Sequence, residues 1–348
     1  MTLAFRSSFS HGLFFASGVS VLTRDAIQQR NIRSNDWIDR LRSNPMPSRL
    51  IINADDFGLT HGVNRAIAEL HEAKVLTSTT LMATGAAFDD AVRIALAHPT
   101  LGVGCHVVLT DGIPASPPQN IPTLLGPDGR SFRPSLLDFI QALLRGKISQ
   151  DDIEREALAQ IQKLQSAGIN ITHLDTHKHT HLFPAVTRPL LQVAERCSIG
   201  AIRQPFEQSW SLGLGHGGMI RRLQVHAVSR LQRGFENLSQ IRNAHVLTTD
   251  GTIGISATGN LYNKTLREIL HALPTEGTFE LCCHPGYNDS DLDQITTRLR
   301  THRDVERTSL LAEIPAMALQ RNAPQLIHYG ELGAHAVVQE TNQVMNES

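Results

Sequence analysis

From residue 50 onward the chain alternates short apolar, β-branched runs with stretches of helical period, and this alternation narrows the fold more than any other feature. A strand followed by a helix, repeated, is the sequence form of a parallel sheet with right-handed crossovers. Strands are predicted at 50–54, 79–82, 101–108, 169–174, 200–203, 245–248 and 277–283. Helices are predicted at 63–73, through Phe88, Val92, Ile94 and Ala95, at 136–144, 151–167 and 185–197, and across the charged stretch 291–320. Val63, Ala66, Ile67 and Leu70 carry the helical period of the first, and Ser149 and Gly168 start and stop the one at 151–167. The proline- and glycine-rich stretch 114–133 predicts a long loop over a site, and 206–243 is basic and partly helical with a glycine-rich hinge at 213–218.

Polar residues then fall in register at the ends of these runs. Asp55 and Asp56 end the first strand, His106 the third, Asp175 to His177 the fourth, and His284 a late one. In parallel α/β folds the C-terminal strand ends converge on one face and build the active site. Four of the 17 histidines lie between His173 and His181, and imidazole is the commonest protein ligand for transition metals. Successive strand side chains point to opposite faces, so Asp55 and Asp56 share a site only through a local kink, for which Gly58 supplies freedom. One aspartate, His106 and one histidine of the cluster make a two-histidine, one-carboxylate site with open positions, the layout of a catalytic metal. The other aspartate is then free to serve as general base, and His284 as an acid for a leaving group, which is the chemistry of amide or ester hydrolysis.

Bulk properties bound the rest. At 348 residues the chain suffices for one large α/β domain or two ordinary ones, and a net charge of -1 provides no field for nucleic acid or an anionic membrane. The four cysteines, Cys105, Cys197, Cys282 and Cys283, lack Cys-x-x-Cys spacing and read as free thiols, which favours a cytoplasmic location. Residues 1–46 read as an N-terminal extension, either a disordered tail or a stretch ahead of a native start at Met46. The apolar run 12–22 within it is too short to span a bilayer, and a weak signal peptide is the alternative. Residues 47–333 form the predicted domain and 334–348 a loosely ordered tail, with no repeat or transmembrane stretch.

Five ordered motifs carry a family resemblance: Asn53-Ala54-Asp55-Asp56-Phe57-Gly58, Thr77-Ser78-Thr79-Thr80, Gly104-Cys105-His106-Val107-Val108-Leu109-Thr110, the stretch from His173 to Pro184, and Glu280-Leu281-Cys282-Cys283-His284-Pro285-Gly286. From about Leu50 to about Tyr329 the chain resembles the YdjC-like carbohydrate deacetylases, a family that includes chitooligosaccharide deacetylase and the hopanoid-biosynthesis-associated deacetylase. The resemblance implies an irregular (β/α) TIM-like barrel with parallel strands, and a hydrolase that removes acetyl groups from N-acetylated carbohydrates. It implies one divalent metal, Mg²⁺, on Asp56, His106 and His177, with Asp55 as general base and His284 as the acid that protonates the departing amine. Arg203 matches an arginine near the pocket, and His179 and His181 line the pocket or support the ligands, so all three are candidate substrate-binding residues. A homodimer and an N-acetylated sugar or glycolipid substrate are also implied, without nucleic acid or stable membrane insertion.

Two features leave choices open. Lys178 within the cluster resembles the hopanoid branch, whereas Cys282 to Gly286 with Arg303, Glu306 and Leu310 resembles the general deacetylase pattern. Two imidazoles suit Zn²⁺ or another transition metal better than Mg²⁺, which seeks oxygen. The rival readings are a metal-dependent phosphoesterase on a barrel, and a sugar-binding regulatory protein without catalysis.

Overall fold

In a computed structural model, residues 48–214, 228–243 and 245–333 are described. The strand–helix alternation folds as one parallel, seven-stranded sheet in the order β4-β3-β2-β1-β6-β5, with β7 beside β1. Its strands are β1 (Arg49–Phe57), β2 (Ser78–Leu81), β3 (Gly102–Val107), β4 (Ile171–Thr176), β5 (Gly251–Ile253), β6 (Thr278–Cys283) and β7 (Gln325–Leu326). Isolated bridges from the segment 201–207, Leu174 to Ile202, Ala201 to Leu247 and Glu207 to Thr252, link the β4 edge to the β5 edge. The result is a curled, TIM-like α/β fold, as the sequence predicts.

Helices α1 (His61–Glu72), α2 (Phe88–Ala97), α3 (Leu136–Leu144), α4 (Gln150–Ser166) and α5 (Pro184–Arg196) follow the predicted positions closely. Thr60 caps α1 by accepting from Val63 N, and Ser149 caps α4 by accepting from Asp151 N, each satisfying an amide the first turn leaves open. Short helices α6 (Gln232–Glu236) and α7 (Ser239–Arg242) lie within the basic stretch, and α8 (Asn263–His271) is a helix the sequence reading did not place. The single helix expected over 291–320 is two, α9 (Ser290–Asp293) and α10 (Thr301–Ala318). Between them the Thr297 hydroxyl accepts from Leu299 N at 3.1 Å, and such local side-chain bonds compete with the helical ladder.

The long loop after β3 is packed. Ile121, Leu124 and Phe132 are buried, and α4 holds the loop through Glu156, which accepts from Ala115 N and Ser116 N at 2.8 and 2.9 Å. No helix among the described residues is long and apolar enough to cross a membrane. Expectations for residues 1–46, for most of the 213–218 hinge and for the tail 334–348 lie outside the described residues.

The alternation of β1 explains where the site lies. Leu50, Ile52 and Ala54 join the main apolar core, Leu50 and Ile52 each contributing roughly 1.5–3 kcal/mol on full burial. Ile51, of opposite parity, joins a separate cluster with Ala201, Ile327 and Tyr329. Asn53 and Asp55 continue that face, so the interior runs from an apolar floor into polar residues.

Candidate active site

Asp55 and Asp56 reach one site because β1 breaks register. The pairing with β2 shifts between Ala54 and Phe57, and Asp56 adopts φ 66°, a left-handed conformation that aspartate tolerates better than most residues. The kink predicted for the Asp-Asp pair is therefore at Asp56 itself. Gly58 follows at φ 89°, its amide donating to Asn64 Oδ1 at 2.7 Å.

Asp56, His106 and His177 converge, their candidate ligand atoms all within 4.8 Å of one another. Asp56 Oδ1 lies 3.5 Å from His106 Nε2 and 3.4 Å from His177 Nδ1. His106 Nδ1 bonds Asp175 Oδ1 at 2.7 Å, which fixes the ring and turns Nε2 toward Asp56. Thr80 donates to Asp175 Oδ2 at 3.1 Å. The other oxygen of Asp56, Oδ2, accepts from Arg303 Nη2 at 2.6 Å.

The second half of the site is Asp55 with His284. His284 Nε2 stands 3.6 Å from Asp55 Oδ2, and Cys282 Sγ donates to that oxygen at 3.6 Å. Arg203 grips Asp55 with both terminal nitrogens, at 2.9 and 2.6 Å, and is fully buried. Its Nη1 also meets Asp175 Oδ2 at 2.6 Å, while Nε and Nη2 donate to Glu280 Oε1 at 2.8 and 2.6 Å. Glu280 in turn accepts from the Tyr329 hydroxyl, which rises from the barrel floor. Arg203 was expected at the pocket as a substrate contact. It lies beneath the site instead, at 0% exposure, binding three carboxylates of the chain.

His181 is likewise buried, its Nδ1 bonded to Thr176 Oγ1 at 2.6 Å. His179 adopts φ 51° and leaves a buried Nδ1 unpartnered, as does His284. Such orphaned nitrogens beside a site are groups a ligand can satisfy. His173, the first histidine of the cluster, stacks on Tyr329 at 3.8 Å and bonds Asn53 Oδ1, so it belongs to the interior. Gly104 opposite it is required, since a Cβ there would lie 2.5 Å from the imidazole.

The electrostatics follow from burial and pairing. Burial alone would raise the Asp55 carboxyl, but the Arg203 guanidinium overrides it and holds the group below the ordinary carboxylate range. Asp56 is held down in the same way by Arg303 and the two imidazoles. Burial works against a charge on His106, yet Asp175 and Asp56 push its pKa up to about 10. Burial lowers His179 to about 3 and His181 well below the usual imidazole value, so both rings are neutral. Burial raises Glu280 despite Arg203.

The donor set fits a divalent cation. Four carboxylates, Asp55, Asp56, Asp175 and Glu280, share two guanidiniums, Arg203 and Arg303. That leaves two negative charges in excess, of which a proton on His106, beside Asp56 and Asp175, offsets one, while a divalent cation would offset both. Asp175, Glu280, Arg303 and Tyr329 were not given roles from the sequence. Asp175 and Glu280 could have been found by parity, being two and four residues from strand-end groups on the same strand face.

Comparison with known proteins gives the family. The family described as YdjC-like protein matches residues 49–339. A carbohydrate deacetylase of Brevibacillus brevis is 33% identical over 285 residues, 82% of this chain and 100% of the relative. Carbohydrate deacetylases of Geobacillus stearothermophilus and Thermoanaerobacter pseudethanolicus are 42% and 29% identical, over 43% and 81% of this chain and 58% and 98% of theirs. A crystal structure from Enterococcus faecalis V583, described as a proposed cellobiose-phosphate cleavage protein, superposes with a TM-score of 0.65 at 24% identity, over 82% of this chain and 99% of that one. The motifs at the strand ends, the curled parallel sheet and the span of these matches make the chain a member of the YdjC-like protein family.

Proposed function

We propose that this protein is a metal-dependent hydrolase that removes acetyl groups from N-acetylated carbohydrates. The observation that carries the reading is the pairing of an ionised Asp55 with His284 at 3.6 Å, beside the Asp56, His106 and His177 triad. The activity of the carbohydrate deacetylases it resembles supports the substrate class. Asp56, His106 and His177 would hold one divalent cation, Mg²⁺ or a transition metal, whose Lewis acidity polarises the amide carbonyl and acidifies water.

Asp55 is the group placed to take a proton from the attacking water. Arg203 keeps it ionised and fixes its direction, at the expense of basicity. His284, its Nε2 3.6 Å from Asp55 Oδ2, hands a proton to the amine as the C–N bond breaks and acetate leaves. A phosphoesterase would want free cationic clamps, but Arg203 and Arg303, 0% and 2% exposed, are committed to carboxylates.

Acetate release from a panel of N-acetylated oligosaccharides and glycolipids, with a generic phosphodiester as control, tests the reading. Asp55→Asn is expected to retain metal and lose roughly 10²–10⁴-fold in turnover, the usual contribution of a positioned base. His177→Ala is expected to lose both metal and turnover. Wild-type acetate release by the Asp55 variant would remove the base assignment.

A further inference from the structure

One helix supports both halves of the site. α10 carries Arg303 and Glu306, three residues apart and therefore on one face, and they are 2% and 1% exposed. Arg303 Nη2 donates to Asp56 Oδ2 at 2.6 Å, and its Nε anchors on Leu299 O at 3.1 Å. With Oδ2 so engaged, Oδ1 is the oxygen that faces His106 at 3.5 Å and His177 at 3.4 Å. Glu306 works on the other half: its Oε2 accepts from His284 N at 2.6 Å, and its Oε1 from Gly259 N at 3.2 Å. The Arg303 carbonyl also accepts from Gly286 N at 3.2 Å, so the turn after β6 is held at two points by the same helix.

We propose that Arg303 is a positioning residue that restricts the metal centre to one carboxylate oxygen and two imidazole nitrogens, while Glu306 separately positions His284. The inference rests on the metal site of the proposed function. A guanidinium stays charged and presents its donors in a rigid fork, so it keeps Oδ2 occupied at all working pH values. A donor set of two nitrogens and one oxygen disfavours Mg²⁺, which takes oxygen ligands, relative to borderline transition metals. Without Arg303, Asp56 regains its second oxygen and the preference shifts. Glu306 touches the backbone of His284 and none of the three metal donors, so its loss should leave the metal unaffected.

Titration of the full chain with Co²⁺, read by its visible d–d absorption, separates these roles without substrate. His106→Ala supplies the background from other histidines. Arg303→Met is expected to change the shape of the spectrum and shift the Co²⁺ dissociation constant tenfold or more, and Arg303→Lys to restore most of both. Glu306→Gln is expected to leave spectrum and affinity within twofold of wild type. Should Arg303→Met fail to fold, Arg303→Gln takes its place with the same expected shift. A variant spectrum superimposable on wild type with an affinity within twofold would overturn the proposal, as would Glu306→Gln disturbing Co²⁺ as strongly as Arg303→Met. A wild-type spectrum identical to that of His106→Ala would overturn the metal site and the inference together, whereas absence of acetate release would strike only the proposed substrate.

Discussion

Replacing Arg203 by methionine removes the guanidinium that Asp55, Asp175 and Glu280 share, while keeping most of the side-chain volume. Breaking a buried ion pair costs about 3–5 kcal/mol, because the partner is left charged and desolvated. Three partners do not triple that figure, since buried carboxylates respond by taking up protons. With an unfolding entropy of ~2.1 cal/mol/K per residue over roughly 290 residues, the loss corresponds to about 5–8 °C in Tm. Its pH dependence has a definite sign. In the wild type, Asp55 lies below its ordinary value, so its contribution is present above the unfolded carboxylate pKa and is lost only as pH falls through the folded one. In the variant, burial without Arg203 drives Asp55 above its unfolded value and pushes Glu280, already raised in the wild type, further up, so stability is lost as pH rises. Differential scanning calorimetry at pH 5.5 and pH 8.0 should therefore show the larger deficit at the higher pH. A Tm within about 2 °C of wild type at pH 8.0, or an equal deficit at both pH values, would refute the account of Arg203 as the buried counter-charge.

Two further outcomes follow from the same geometry. With the pKa of His106 near 10, a cation binding Asp56, His106 and His177 must displace a proton, so affinity should rise with pH between 6 and 8; calorimetry in buffers of different ionisation enthalpy should register close to one proton released, and no release would contradict the protonated state of His106. Gly85→Ala would place a Cβ 2.2 Å from the Gly58 carbonyl oxygen, next to the turn that carries Asp56. Overpacking of this kind typically costs about 1–3 kcal/mol, so a urea midpoint equal to wild type would show that the turn gives way freely.

The elements legible in the sequence are those long enough to show a period, and the strand-end residues Asp55, Asp56, His106, His177 and His284 stand out because polar groups there interrupt apolar runs. The strands expected at 200–203 and 245–248 are isolated bridges, with Arg203 N bonding Leu174 O and Ile202 N bonding Leu247 O. β5 and β7, of three and two residues, are too short to carry any period. The buried charges are illegible for a different reason. Glu280 between Phe279 and Leu281 has the alternation of a half-exposed strand, and nothing in that alternation distinguishes water from a polar barrel interior. Its partner Arg203 is 77 residues away, and Arg303 is 247 residues from Asp56. A residue's exposure at this site is therefore set by where its counter-charge arrives in the fold. Arg203 shows the consequence: its position in the sequence places it among the pocket residues, but three carboxylates draw it under the site, where it governs the ionisation of Asp55 without any surface to offer a substrate.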